Sequence, residues 1–216
     1  TWDEVLSDYG EDLVLSPKNP SRIFVAGQIS SGSDTVMGLH VSQDGGATWT
    51  HSKASASAGS CAYTVAVDPK NDAVVYLGGE SGGNAVLFKS TNGGGAWTNI
   101  TGTLTGRVVD VAVDPKASNR VYAATYGGIG KSGNGGTTWT KASTDQVNLI
   151  LVHPTAPTPR SAAGSHGIEV SKNYGATWSA FDQGIPVDSV PGLDFNRAAG
   201  TLFAAVYGAG VWKRKL

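Results

Sequence analysis

The sequence predicts an all-β fold, a five-bladed β-propeller of four-stranded antiparallel blades, and three observations predict it. A turn motif of eight residues occurs four times at a period of roughly 40–50 residues, the range of stacked supersecondary units. A second repeat, two short apolar strands joined by a turn built on Pro or Asn, occurs five times out of phase with the first. No long amphipathic helical pattern interrupts either repeat.

The turn motif reads Ser42-Gln43-Asp44-Gly45-Gly46-Ala47-Thr48-Trp49, Ser90-Thr91-Asn92-Gly93-Gly94-Gly95-Ala96-Trp97, Ser132-Gly133-Asn134-Gly135-Gly136-Thr137-Thr138-Trp139 and Ser171-Lys172-Asn173-Tyr174-Gly175-Ala176-Thr177-Trp178. Each residue type has a mechanical role. Asp or Asn closes an Asx-turn onto the backbone, and Gly supplies positive φ. The Ser hydroxyl satisfies another turn amide, while Trp buries a large ring and leaves its indole N–H to find a carbonyl. The acidic position is Asp44 once and Asn92, Asn134 and Asn173 elsewhere, so the repeats keep turn geometry rather than charge. The four turns are therefore read as structural rather than as catalytic or calcium-binding sites.

The strand pairs fill the intervals. Val65–Val67 with Val74–Leu77 and Val111–Val113 with Val121–Ala124 are the clearest copies, each turning at Asp-Pro-Lys. Leu13–Leu15 with Ile23–Ala26, Ile150–Val152 with Ser161–Gly164, and Leu193–Phe195 with Leu202–Val206 are weaker. A third strand enters each turn motif, as Val86–Ser90 does, and the Trp opens a fourth. The spacing sets blades at about 7–52, 60–101, 106–142, 146–181 and 187–216, the last completed by residues 1–6. Thr1-Trp2 matches the tail of the motif and keeps the period, so the N-terminal strand is expected to close the ring. The competing account is a piece of a larger propeller. One strand spare at the start and one lacking at the end favour the closed ring, which protects its edges.

The motif resembles the Asp-box, or BNR, repeat, and the flanking strand pairs are similar to those of Asp-box β-propellers. That superfamily includes sialidases, xyloglucanases, sortilin-type receptors and photosystem II assembly factors. The resemblance covers essentially the whole chain, is specific for fold and nearly silent on activity. It implies six, seven or ten blades in most members, so five departs from the usual pattern.

Composition narrows the partners. The 216 residues carry 16 Lys+Arg against 17 Asp+Glu, a formal charge of −1, which gives no electrostatic basis for nucleic acid or an anionic membrane. No transmembrane run is present, a lone Cys61 excludes an internal disulfide, and a monomer is expected. No cofactor is expected. No metal is expected either: His40, His51, His153 and His166 are read as lying in different contexts with no paired ligand spacing.

Chemistry is expected in the loops between second and third strands, which gather at one mouth of the ring and vary most between repeats. They offer the aromatic faces of Tyr126 and Tyr207, the imidazole of His166, and polar groups on Gln28, Asp34, Glu80 and Asn84. The site read from them is Gln28, Asp34, Glu80, Tyr126, His166 and Tyr207. Aromatic platforms beside neutral and acidic groups suit a sugar, so the expectation is a non-catalytic module for oligo- or polysaccharide, outside the cell or at its surface. The bland readings are inter-blade packing for the two tyrosines, a solvated turn for His166 and a solvent-facing loop for Glu80. Asp110, with Asp12 at the matching place, is read as a structural ion pair with Arg107 or Arg120, a catalytic carboxylate being the alternative. A glycoside hydrolase of the sialidase or xyloglucanase kind is the second function, although the arginine cluster of the first and the paired propellers of the second are not found. A protein-interaction scaffold is the third.

Overall fold

The computed structural model describes residues 1–55, 57–153, 160–164, 167–186, 189–196 and 200–215. Among these, the strands form five antiparallel sheets, each ordered as the chain runs. Sheet one contains β1 (Gly10–Leu15), β2 (Ile23–Ser31), β3 (Asp34–Ser42) and β4 (Thr50–Lys53), and sheet two β5 (Cys61–Asp68), β6 (Asn71–Ser81), β7 (Asn84–Ser90) and β8 (Thr98–Asn99). Sheet three contains β9 (Val108–Val113), β10 (Val121–Thr125), β11 (Gly128–Ser132) and β12 (Thr140–Ser143). Sheet four is β13 (Leu149–Val152), β14 (Arg160–Gly164), β15 (Gly167–Ser171) and β16 (Ser179–Ala180); sheet five is β17 (Gly192–Asn196), β18 (Thr201–Val206) and β19 (Gly210–Lys215). The first strands β1, β5, β9, β13 and β17 adjoin one another in that order.

The apolar residues form four cores, one in each gap between successive sheets. Phe24, Met37 and Leu39 of sheet one meet Val65, Val75 and Leu77 of sheet two. Tyr76 and Leu87 meet Val108, Val121 and Trp139 in the next gap. Tyr122 and Ile129 meet Val147 and Ile150, and Ile168 meets Phe195, Leu202 and Ala204. Interior sheets are therefore apolar on both faces, which explains strand runs such as Val121–Thr125, where every residue is buried.

The four turn motifs adopt one geometry. Ser42 Oγ donates to Asp44 Oδ1 at 2.8 Å and accepts from the Gly46 amide at 2.8 Å, while Asp44 Oδ1 accepts from the Thr48 amide at 2.9 Å. Ser90, Ser132 and Ser171 repeat the pattern with Asn92, Asn134 and Asn173. Two successive residues take positive φ in each turn, Gly45 and Gly46 at 75° and 94° in the first. The exception is Tyr174, at 58° where the other turns have Gly, and the Arg120 guanidinium stacks 4.2 Å above its ring. Two of the four indoles tie neighbouring sheets together: Trp97 Nε1 donates to Ser52 Oγ at 2.7 Å and Trp139 Nε1 to the Ile100 carbonyl, just past β8, at 2.7 Å. Trp49 Nε1 donates within its own turn, to the Gly46 carbonyl at 3.1 Å.

The N-terminus departs from expectation. Residues 1–9 carry no strand, sheet five has three strands with β19 as an edge exposed along its length, and Trp2 is fully exposed. The segment instead crosses the outer face of sheet one, where Val5, Leu6 and Asp8 line a groove of about 420 Å³ with Val25 and Trp49.

Candidate functional site

Four of the six expected site residues occupy one rung of their sheets, where the second strand meets its neighbour at the rim. The Gln28 amide donates to the Tyr9 carbonyl at 3.2 Å, Tyr126 to Arg107 at 3.1 Å and Tyr207 to Ser189 at 2.9 Å. Glu80 pairs with Cys61 in the same register. Each rim position is thus set by the residue just before, or at the start of, the inner strand, and that residue differs in every sheet.

Between sheets two and three the rung becomes a cluster. Tyr63 Oη donates to Glu80 Oε1 at 2.8 Å, and Arg107 Nε lies 3.4 Å from Glu80 Oε2. The same guanidinium sits 4.7 Å from the Tyr126 ring centroid and 5.5 Å from that of Tyr63. Burial, reinforced by the Glu80 carboxylate, pushes the Tyr63 phenol well above its ordinary range, so it stays a donor. Gln28 extends the rim into sheet one, its Nε2 donating to Cys61 Sγ at 3.0 Å.

Glu80 is therefore not the solvent-facing loop residue its glycine-rich flanks imply. Its side chain is 19% exposed because β6 runs on to Ser81 and aims it at Tyr63 and Arg107. Tyr126 keeps 43% of its surface in solvent and Tyr207 77%. Asp34 stands at the tip of the β2–β3 hairpin, three rungs beyond the Gln28–Met37 pair, and is exposed. His166 lies outside the described residues. Sequence reasoning missed Tyr63 as a site residue and gave Arg107 the wrong partner. The available signal was their place on the strand entering sheets two and three, opposite Glu80 and Tyr126.

The inner-strand carboxylates prove to be backbone clips rather than ion pairs. Asp110 Oδ2 accepts from the Ile150 amide of sheet four at 2.7 Å and Oδ1 from its own Val111 amide at 2.7 Å. Asp12 does the same toward Leu13, at 2.8 Å, and Val65 of sheet two, at 2.9 Å. Arg107 is engaged with Glu80, and Arg120 pairs with Asp114 at 2.9 Å, so neither serves Asp110. Burial pushes the Asp110 carboxyl up to about 7, against the pull of the two amide bonds and with a further push from Asp12.

A third constellation lies on the outer face of sheet one. His40 and His51, expected in unrelated contexts, are direct cross-strand partners on β3 and β4, with ring centroids 5.7 Å apart. The motif turn between the two strands fixes that register. Asp8 Oδ2 lies 3.6 Å from His40 Nδ1. Burial holds the His40 imidazole below its ordinary pKa, although Asp8 and the nearby Gln28 backbone oppose the shift.

No protein-family model matches the chain, and no curated protein does. Solved structures do resemble it. The GH74 xyloglucanase from Xanthomonas campestris superposes with a TM-score of 0.72 at 16% identity over 99% of this chain and 37% of that one. The WD40 β-propeller domain of Doa1 gives 0.69 at 14% identity, covering 97% of this chain and 66% of that one. YCF48 from Cyanidioschyzon merolae gives 0.62 at 19% identity, covering 97% and 68%. An ancestral GH74 enzyme gives 0.71 at 19% identity, and the chain spans 28% of its length. At these identities the likeness defines the fold alone, and that fold is a β-propeller. Its neighbours include both carbohydrate-active and WD40 propellers.

Proposed function

We propose that this chain is an Asp-box β-propeller of five blades that acts as a non-catalytic binding module, taking oligo- or polysaccharide at the rim between sheets two and three. The observation that carries this reading is the Glu80–Tyr63–Arg107–Tyr126 cluster. Its polar groups are held by one another before any ligand arrives, which lowers the ordering cost of binding. Tyr126 offers a partly open aromatic face for the C–H face of a pyranose, and the flanking carboxylate and guanidinium can meet hydroxyls. A carbohydrate partner is consistent with the presence of GH74 xyloglucanase propellers among the structural neighbours. On this reading the module works outside the cell or at its surface.

One observation favours a hydrolase instead: Asp110, with its pKa near 7, has the protonation suited to a general acid. Its two short backbone bonds weigh against that role, since both oxygens are already engaged.

Gel retardation in a panel of soluble polysaccharides, with reducing ends assayed on the same samples, tests the proposal. The expected result is retardation by at least one polysaccharide without new reducing ends, lost in Tyr126→Ala and weakened in Arg107→Ala. New reducing ends that vanish in Asp110→Asn would replace it with the hydrolase. Neither retardation nor product would leave a protein-binding scaffold.

A further inference from the structure

Two imidazoles and a carboxylate converge where sheet one meets the N-terminal segment. One donor atom each from Asp8, His40 and His51 lies within 4.8 Å of the other two. His40 is completely buried, yet neither Nδ1 nor Nε2 makes a well-formed hydrogen bond among the described residues. The nearest polar groups are the Asp8 carboxylate, 3.6 Å from Nδ1, and the Gln28 backbone. A buried polar nitrogen without a partner is costly, and native structures rarely leave two on one side chain. Its neighbours do not explain this through packing: Asp8 and His51 are both exposed and both carry lone pairs.

We propose that Asp8, His40 and His51 bind a divalent first-row transition-metal ion of the zinc type, which fastens the N-terminal segment to the outer face of sheet one. Tetrahedral zinc, with bonds of roughly 2.0–2.2 Å, sets its donor atoms about 3.4 Å apart. The Asp8 Oδ2 to His40 Nδ1 distance of 3.6 Å already fits. His51, exposed on the short strand β4, closes the remaining gap by a side-chain movement. The two-nitrogen, one-oxygen donor set selects zinc-like ions over calcium or magnesium, which take oxygen shells. The fourth tetrahedral position would take water or an exogenous ligand. The ligands come from two strands of one hairpin and from a segment without strand pairing, so the ion would join parts of the chain that the sheet does not.

The test is calorimetric titration of the intact, chelator-washed chain with Zn²⁺, alongside Co²⁺ absorption spectra. The wild type is expected to bind one equivalent and to give a visible Co²⁺ ligand-field band. His51→Ala and Asp8→Asn, both at exposed positions, should each weaken Zn²⁺ by at least about tenfold and diminish the band. Glu11→Gln, a carboxylate on the same groove outside the ligand set, should bind as the wild type does. Absence of binding at millimolar Zn²⁺, or unchanged affinity in His51→Ala and Asp8→Asn, would overturn the assignment. An equal loss in Glu11→Gln would overturn it too, leaving only diffuse negative charge.

Discussion

The four motif turns and the rim follow opposite rules. The turns repeat one set of hydrogen bonds in four sheets, with Ser, Asp or Asn, and two successive positive-φ residues at fixed offsets. Those two are a glycine pair in three turns and Tyr174-Gly175 in the fourth. The rim uses one backbone rung in four sheets but three kinds of side chain on it: Gln28, Glu80, and tyrosine at Tyr126 and Tyr207. Repetition marks what holds the sheets together, and variation on a common rung marks where a ligand can be read. Substitutions in turns should therefore cost stability, and substitutions on the rim should cost binding.

The largest effect expected is at Trp139, 6% exposed in the gap between sheets two and three. Trp139→Ala removes that ring and its bond to the Ile100 carbonyl, and should destabilise the chain by about 3–5 kcal/mol. Urea unfolding measures this. Tyr126→Ala, on the rim, should change stability by less than about 0.5 kcal/mol. Equal losses in the two variants would break the division between scaffold and rim.

Asp110 tests whether the inner strands belong with the scaffold. Asn can accept from only one of the Val111 and Ile150 amides, so Asp110→Asn should cost about 1–3 kcal/mol. Its pH dependence has a definite sign. The native carboxyl titrates at about 7 against 3.8 for the ordinary group, so between those values the folded chain holds a proton that the unfolded chain has released. This contribution is fully present below about pH 4 and is lost as the pH rises through about 7. Urea midpoints measured across that window should slope in the wild type and flatten in the Asn variant. A slope that persists in the variant would assign it to another group.

A smaller effect compares two turns. Gly45 has φ of 75° with open space around a added Cβ, so Gly45→Ala should lose about 1–2 kcal/mol from backbone strain alone. Tyr174 already carries that strain, partly offset by the Arg120 stacking. Tyr174→Gly exchanges one for the other and should move stability by less than about 1 kcal/mol. Comparable losses in both variants would show that Tyr174 contributes more than it strains.

The difference between turns and rim also explains what was legible in the sequence. Turn chemistry is local, since Ser42, Asp44 and Gly46 meet within five residues, so the motif and the sheets it separates could be read directly. The rim cluster joins Tyr63 and Glu80 on one sheet to Arg107 and Tyr126 on the next, and no local pattern encodes that meeting. His40 and His51 lie between these limits: eleven positions apart, they became opposite neighbours only once the hairpin register was known. Residues 1–6 were misread as a strand because a Thr-Trp pair alone was taken to place one, whereas the segment lies against the outer face of sheet one.

The smallest effect expected is at Asp44, the one acidic residue among the four matching turn positions. At neutral pH Asp44→Asn should be nearly silent, because Asn134 and Asn173 build the same turn with their side-chain amides donating to Thr138 and Thr177. In the variant the Thr48 hydroxyl, which now donates to Asp44 Oδ2 at 2.6 Å, would turn to accept instead. Acid should separate the two proteins. The Thr48 hydroxyl, then the Thr48 amide and the Ser42 hydroxyl, hold the Asp44 carboxyl at about 2 rather than 3.8. Its stabilisation is therefore present above about pH 4 and lost as the pH falls through about 2, a limb that the Asn turns lack. Carboxyl titration by NMR locates the Asp44 pKa, and acid unfolding of wild type against Asp44→Asn isolates the limb. A carboxyl titrating near 3.8 would mean that the turn is held as firmly by a neutral acceptor, and the charge at this position would then be incidental to the fold.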